Sequence, residues 1–310
     1  MRLVFMGTAE FAVPSLQNLI LSGHDIPLVV TQPDRPAGRG KRLTPTPVKV
    51  LADEYGLTVI QPESIRTPDF ERIIKDLNPE VIVVVAYGKI LPENILNLPL
   101  RGCINVHGSI LPAYRGAAPV QRAIMAGEKT VGVSTMYMDK SMDTGDVILQ
   151  QTIELDGDED YGETILRLSR VGADLLLETL EQIEWGINPR KPQDNAHATY
   201  APPLTAEDEL IKWEMNSQNI KNQIRGLSPD PGAYTRLNGD KLKIFKAQTV
   251  ENVSGLPGEV ISIVPHQGFV VGTGRGGLLV LEVQKAGKRR ISAADFLKGS
   301  KLREGDRLGR

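Results

Sequence analysis

Asn105 and His107 stand two residues apart in the stretch Gly102 to Pro119, GCINVHGSILPAYRGAAP, and Asp143 follows in the turn Met138 to Asp146, MDKSMDTGD. A histidine exchanges protons near neutrality, its unperturbed pKa being about 6.5. A carboxylate beside it orients the ring, holds it charged, or takes up a proton through water. An amide side chain donates to negative charge growing on an oxygen, and removing one such donor typically costs about 3 kcal/mol. Together the three types suit acyl transfer to a nucleophile that the substrate itself carries. The chain supplies no obvious nucleophile, since there is no Gly-x-Ser-x-Gly elbow and no thiol at a helix start. Ser109 falls in a strand-end turn, where its hydroxyl is expected to bond the backbone or a ligand. No His/Cys spacing predicts a metal site. One histidine, one amide and one aspartate also meet by chance in many chains, so residue types alone leave the triad open.

The elements that must position these residues read as an α/β fold. Arg2 to Met6 predicts a strand, Thr8 a helix cap for a helix to about Leu21, and Ile26 to Thr31 a second strand, which makes a βαβ opening. Gly7 invites comparison with a dinucleotide fingerprint, but G-T-A-E-F-A lacks the further glycines that admit a pyrophosphate. Val48 to Tyr55 and Asp69 to Leu77 predict helices, Thr58 to Ile60 a short strand, and Glu80 to Ala86 an almost unbroken β-branched run. Continuous apolar strands alternating with helices imply a mostly parallel sheet covered on both faces, a Rossmann-like arrangement. Gly102 to Val106 is then a buried strand, and Asn105 and His107 emerge at its end, on the same rim as Tyr87 and Gly88. Open α/β sheets build their sites at that rim. Ala118 to Ala126 predicts a helix, Thr130 to Met138 and Asp146 to Leu155 a pair of strands, and Tyr161 to Gly186 a long amphipathic helix.

Two segments break this regularity. In Thr31 to Lys49 the cations Arg35, Arg39, Lys41 and Arg42 stand among prolines and glycines that forbid regular structure. The segment is either a solvated surface loop or an adjustable arm for a phosphate backbone, to which guanidinium groups fork. Asn188 to Pro203 holds four prolines and no periodicity, so it reads as a linker. Beyond it an initial helix over Ile211 to Arg225 precedes five short strand-like runs, which imply a small OB-like β-barrel. The expected domains are therefore 1–189, Rossmann-like, and 207–310, the barrel, joined by a linker over 190–206. Residues 207–310 hold 17 Lys and Arg against 12 Asp and Glu, whereas the preceding residues hold 19 against 26. The C-terminal part is the better match for a polyanion. Its cluster Lys285 to Arg290, KAGKRR, is an anion-binding edge or a solubilising turn.

The 310 residues are 41% hydrophobic and 24% charged, as in ordinary soluble proteins. No signal peptide and no stretch near the ~20 apolar residues of a membrane span are present, so no membrane partner is expected. The single cysteine, Cys103, excludes an internal disulfide and suits a reducing, cytoplasmic setting.

NVHGSILPAYRGAAP resembles the signature of the folate-dependent formyltransferases, and QPDRPAGRGK, VVVAYGKILP and MDTGD extend the resemblance across nearly the whole chain. It implies that Asn105, His107 and Asp143 carry catalysis. It assigns Ser109, Ile110, Leu111 and Pro112 to a folate-contacting turn, and Tyr87, Gly88, Ile90 and Leu91 to the pterin pocket. The implied donor is 10-formyltetrahydrofolate, and the implied acceptor is the amine of methionine esterified to initiator tRNA, with no metal. Arg35, Arg39, Lys41 and Arg42 would then enter the acceptor end of the tRNA, and the barrel would hold the outer stem. A monomer fits so large a partner. Two rivals remain, namely the same chemistry on a small amine or on water, and a tRNA-binding module with an inherited site. The basic arm and extra domain speak against the first, and the intact triad against the second.

Overall fold

The structure is a computed structural model that describes residues 1–37, 42–187 and 189–309. In chain order the first half comprises β1 (Arg2–Gly7), α1 (Val13–Leu21), β2 (Asp25–Val30), β3 (Arg35–Ala37), β4 (Arg42–Thr44), α2 (Pro47–Glu54), β5 (Val59–Ile60), α3 (Pro68–Leu77), β6 (Val81–Val85), α4 (Glu93–Leu96) and β7 (Cys103–His107). There follow α5 (Pro119–Ala126), β8 (Thr130–Tyr137), β9 (Val147–Glu154) and α6 (Tyr161–Glu184). After these come α7 (Ala206–Glu209), α8 (Ser217–Gly226), β10 (Ala233–Leu237), β11 (Asp240–Val250), β12 (Val260–Val264), β13 (Gly268–Gly272), β14 (Gly277–Lys285), β15 (Ile291–Ser292) and α9 (Ala293–Lys298). Among the described residues no helix is long and apolar enough to cross a membrane.

The chain forms two compact units that interleave in sequence: 1–117 with 131–153 and 165–201, and 118–130 with 154–164 and 202–310. The stretch 190–206, which reads as a linker, is thus divided between them, and its first part bonds to the body of unit 1. There Arg115 N–H donates to the Thr199 carbonyl at 2.9 Å, and Ala201 N–H to the Arg115 carbonyl at 2.7 Å. Proline-rich, aperiodic chain need not be a free tether when its backbone groups find partners.

Unit 1 holds a seven-stranded sheet in the order β5-β2-β1-β6-β7-β8-β9. Strands β5 to β7 in that list pair in parallel, and β8 runs antiparallel to β7. The mostly parallel sheet explains the sequence of β6, VIVVV, in which every residue is buried. Successive side chains face opposite layers. Leu3, Phe5, Val83, Val85, Ile104 and Val106 pack with Leu176 and Leu180 of α6, whereas Val4, Met6, Ile82, Val84 and Cys103 pack with Phe70 and Ile74 of α3. Full burial of such a side chain contributes about 1.5–3 kcal/mol. Cys103 is buried, and burial pushes its thiol up to about 12.

Three local expectations need correction. Thr8 does not cap α1; a 3-10 turn, Glu10–Ala12, precedes that helix, and Pro14 sits in its first turn, where a missing N–H costs nothing. Thr8 instead bonds the Tyr87 carbonyl at 3.1 Å. The segment Thr31 to Lys49 is not wholly irregular, because β3 and β4 pair antiparallel and Thr46 caps α2 by accepting from Lys49 N–H. Finally, Ile211 to Arg225 is not one helix. Ile211 N–H donates to the Tyr234 carbonyl at 2.8 Å, Trp213 Nε1 to Thr235 Oγ1 at 3.0 Å, and Asn216 caps the shorter α8. Tertiary bonds hold Leu210 to Met215 extended or turned in place of the local helical pattern.

Unit 2 is built on an antiparallel sheet, β10-β11-β14-β13-β12, with β15 beside β14, and β11 carries register shifts near Ile244 and Lys246. Bulges of that kind curl a sheet. The chain end then bridges its two edges: Val260 N–H donates to the Asp306 carbonyl and Leu308 N–H to that of Gly258 on the β12 side, while Gly309 N–H donates to that of Arg236 in β10. A small barrel results, filled by Ile244, Val260, Phe269, Val271, Val280 and Phe296.

Candidate active site

Strand β7 carries Asn105 and His107 two positions apart and therefore on one face of the sheet, with Ile104 and Val106 committed to the opposite core. The Asn105 amide is half-buried and makes no side-chain hydrogen bond to a described residue. His107 is buried, and its Nε2 lies 3.1 Å from the Tyr114 carbonyl oxygen. A carbonyl only accepts, so Nε2 carries a hydrogen. That leaves Nδ1 facing Asp143 Oδ2 at 3.7 Å.

Asp143 comes from the β8–β9 connection and reaches His107 through an uncommon backbone conformation, φ +54°. A left-handed residue other than glycine costs about 1 kcal/mol, least for Asp and Asn. Its carboxylate accepts from Gly116 N–H at 2.8 Å. Gly116 is itself at φ +124°, and a Cβ there would stand 2.6 Å from the Ala201 carbonyl oxygen. Two residues beyond Asp143, a Cβ on Gly145 would stand 1.8 Å from the Tyr137 carbonyl oxygen, so the turn closes only with glycine. The other aspartates of the turn are occupied. Asp139 accepts from Ser141 N–H and Thr144 Oγ1, and Asp146 lies 3.6 Å from Arg190.

The turn Ser109 to Pro112 is pinned from below. Ser109 Oγ donates to the Ala113 carbonyl at 2.6 Å, consistent with a structural hydroxyl. Ser134 Oγ donates to the Ser109 carbonyl and accepts from Leu111 N–H, and Gln150 Nε2 donates to the Leu111 carbonyl. Leu111 is buried and Ile110 half-buried. The bond Leu111-Pro112 is cis.

Tyr87 to Leu91 follow β6, the parallel neighbour of β7. Tyr87 is buried and its hydroxyl has no hydrogen-bond partner among the described residues, while burial raises its pKa to about 12. Leu91 is buried, Ile90 is exposed, and nothing lies within 4 Å of where a Gly88 Cβ would stand. The backbone N–H groups of Gly88, Lys89 and Ile90 donate to no described residue. Unused donors, open space and an apolar side chain beside them fit a flat ring with polar edges.

Of the arm residues, Arg35 is exposed at the start of β3 and Arg42 opens β4. Arg39 and Lys41 lie outside the described residues. The hairpin base is tied by Lys49 Nζ to Asp34 Oδ2 at 2.9 Å and by Gln61 Nε2 to Asp34 Oδ1 at 2.6 Å. These bonds hold the Asp34 carboxyl below the usual carboxylate range, with the Gln61 hydrogen bond the larger cause.

Sequence reasoning missed two residues that belong to this corner. Arg115 is almost wholly buried, and Gln193, in the stretch read as a linker, accepts from its Nε and Nη2 at 3.1 and 2.7 Å. Gln193 Nε2 in turn donates to the carbonyls of Asp143 and Gly145 at 2.9 and 2.7 Å. The RG pair inside PAYRGAAP is the one signal that pointed to Arg115. Nothing in the sequence pointed to Gln193.

Residues 1–180 match the family model described as formyl transferase, and residues 203–301 the one described as formyl transferase, C-terminal domain. A half-buried amide, an imidazole and a carboxylate at the rim of a parallel sheet are what such a chain carries here, and it belongs to the formyl transferase family. Over its full length it is 50% identical to the methionyl-tRNA formyltransferase of Pelotomaculum thermopropionicum, with 100% of this chain and 99% of that one covered. To the methionyl-tRNA formyltransferase of Moorella thermoacetica it is 51% identical, with the same shares covered. Among solved structures, an N-formyltransferase from Helicobacter canadensis, in complex with folinic acid and dTDP-3-aminofucose, superposes with a TM-score of 0.69. That match covers 92% of this chain and 99% of the other at 18% identity, a likeness of fold.

Proposed function

We propose that this chain transfers the formyl group of 10-formyltetrahydrofolate to the amine of methionine esterified to initiator tRNA. The observation that carries the reading is the imidazole of His107 held between a carbonyl and the Asp143 carboxylate, two strand positions from the unengaged Asn105 amide. The methionyl-tRNA acceptor follows the enzymes that share about half of its residues end to end.

Folate supplies the formyl group. The turn Tyr87 to Leu91 and the residues Ser109 to Pro112 would hold it, the first through its unused backbone donors and the second as a rigid wall. Asn105 donates to the formyl oxygen as negative charge grows there, the role in which one donor contributes about 3 kcal/mol. An α-amine has a pKa of about 7.7–8.0, so much of the acceptor is protonated at neutrality. As the amine nitrogen bonds to the formyl carbon, His107, with Asp143 behind it, takes up the proton that the amine sheds and returns it, through water, to N10 of the folate as the formyl C–N10 bond breaks and tetrahydrofolate leaves. Arg35, Arg39, Lys41 and Arg42 contribute cations for the phosphates of the acceptor end, and the basic barrel of unit 2 for the outer stem.

A second reading, transfer to the amine of a nucleotide-linked sugar, is favoured only by the fold it shares with the Helicobacter canadensis enzyme. The test is formyl transfer from 10-formyltetrahydrofolate to methionyl-tRNA, free methionine and dTDP-3-aminofucose in parallel. Transfer to the charged tRNA alone is expected. Equal use of free methionine or of the sugar nucleotide contradicts the reading.

A further inference from the structure

A chain of hydrogen bonds runs from a buried arginine to the turn that carries Asp143. Arg115 is buried with a full charge, which demands good acceptors. Gln193 Oε1 takes both its Nε and Nη2 hydrogens, and Asn195 Oδ1 takes a third bond from Nη2 at 2.9 Å. Fixing Oε1 on the guanidinium leaves both amide hydrogens of Gln193 aimed the other way. Both are used, on the carbonyls of Asp143 and Gly145, one residue either side of Thr144. The turn they grip is the one that places Asp143 in its left-handed conformation, 3.7 Å from His107 Nδ1.

The same short segment also braces the other side of the imidazole. Thr199 Oγ1 accepts from Tyr114 N–H at 2.8 Å, and Tyr114 is the residue whose carbonyl receives the His107 Nε2 hydrogen. Residues 193–199 thus bond to Asp143 and Tyr114, which flank the His107 imidazole on its two sides.

We propose that Gln193 is a positioning residue for the reaction: clamped by Arg115, it fixes the Asp143 turn so that the carboxylate faces His107 Nδ1. This rests on the role assigned above to Asp143. A glutamine suits the task as no charged residue would. Its amide end donates where a carboxylate would repel the two carbonyls, and its oxygen end accepts from Arg115 where a lysine would repel the guanidinium.

The test is a double-mutant cycle on the full chain, reading single-turnover formylation of methionyl-tRNA with 10-formyltetrahydrofolate in excess. Gln193→Glu keeps an acceptor for Arg115 and deletes both donors to the turn. Misplacement by about 1 Å costs up to about 100-fold in rate, so we expect a loss between tenfold and that figure. Affinities for folate and tRNA and the thermal midpoint should hold. In an Asp143→Asn background the same substitution should cost less than about twofold, because the group it positions is already disabled. Should Gln193→Glu fail to fold, Gln193→Ser, which leaves room for water against Arg115, reads the same cycle. A full multiplicative loss in both backgrounds, or an undiminished rate in Gln193→Glu alone, overturns the proposal. An Asp143→Asn enzyme as fast as the parent overturns it too, and removes the catalytic reading of Asp143 at the same time.

Discussion

Two carboxylates in this molecule, one in each unit, have an arginine nearby and are held in different ways. In unit 2, Arg122 grips Asp208 directly, Nη1 to Oδ1 at 2.5 Å and Nη2 to Oδ2 at 2.8 Å, and Thr205 N–H and Oγ1 add two more bonds. The guanidinium holds the Asp208 carboxyl down to about 2. In unit 1, Arg115 is nearer to full burial, yet among the described residues it forms no ion pair with Asp143. Gln193 stands between them, passing geometry from one to the other but not charge. A carboxylate forked by arginine is a permanent anion and serves stability. Asp143 accepts from a backbone N–H and faces an imidazole, with no guanidinium among the described residues forked onto it. The difference separates a clasp from a working pair, although both motifs contain one Arg and one Asp.

The largest effects that bear on this contrast belong to the working corner. Asn105→Ala removes the amide proposed to donate to the formyl oxygen, and single-turnover rates should fall about 100- to 1,000-fold while folate binding is kept. His107→Ala should cost a similar factor by removing the imidazole proposed to handle the amine's proton. Retention of rate in either variant, measured by rapid quench, would take that residue out of the mechanism.

A smaller effect belongs to the clasp, and it is one of stability. Asp208 has a folded pKa of about 2, below the ordinary aspartate value of 3.8. The pair's contribution is therefore present above about pH 4 and is lost as the pH falls from there through about 2. With its side chain about one-fifth exposed, the contribution is of order 1–2 kcal/mol after screening. Arg122→Met should lower the thermal midpoint at pH 7 by a few degrees, with the gap to the parent closing as both are titrated toward pH 2. Formylation by the folded variant at pH 7 should change little by comparison with Asn105→Ala. A constant gap at every pH would mean that Arg122 contributes packing and not charge.

The parallel sheet and strand β7 were legible in the sequence because their physics is local. VIVVV has one explanation in a soluble chain, and a strand of five residues brings Asn105 and His107 out together by its period of two. Asp143 was nameable from its motif, and its approach to His107 depends on a left-handed turn that two glycines, Gly116 and Gly145, make possible. Gln193 lay hidden for the opposite reason. It sits among prolines with no period, and its importance comes entirely from partners 50 and 78 residues away. The overlong helix at Ile211 to Arg225 and the misassigned Thr8 failed in the same manner, since tertiary hydrogen bonds to Tyr234 and Tyr87 outweigh local propensity.

The account turns on a carboxylate kept free of direct arginine pairing so that it can work with His107. Asp143→Asn preserves shape and the acceptor for Gly116 N–H while removing the charge, and its single-turnover formylation of methionyl-tRNA at saturating 10-formyltetrahydrofolate is the most direct reading. A fall of about 100-fold with unchanged affinity for both substrates is expected. A rate equal to that of the parent chain would contradict the central claim.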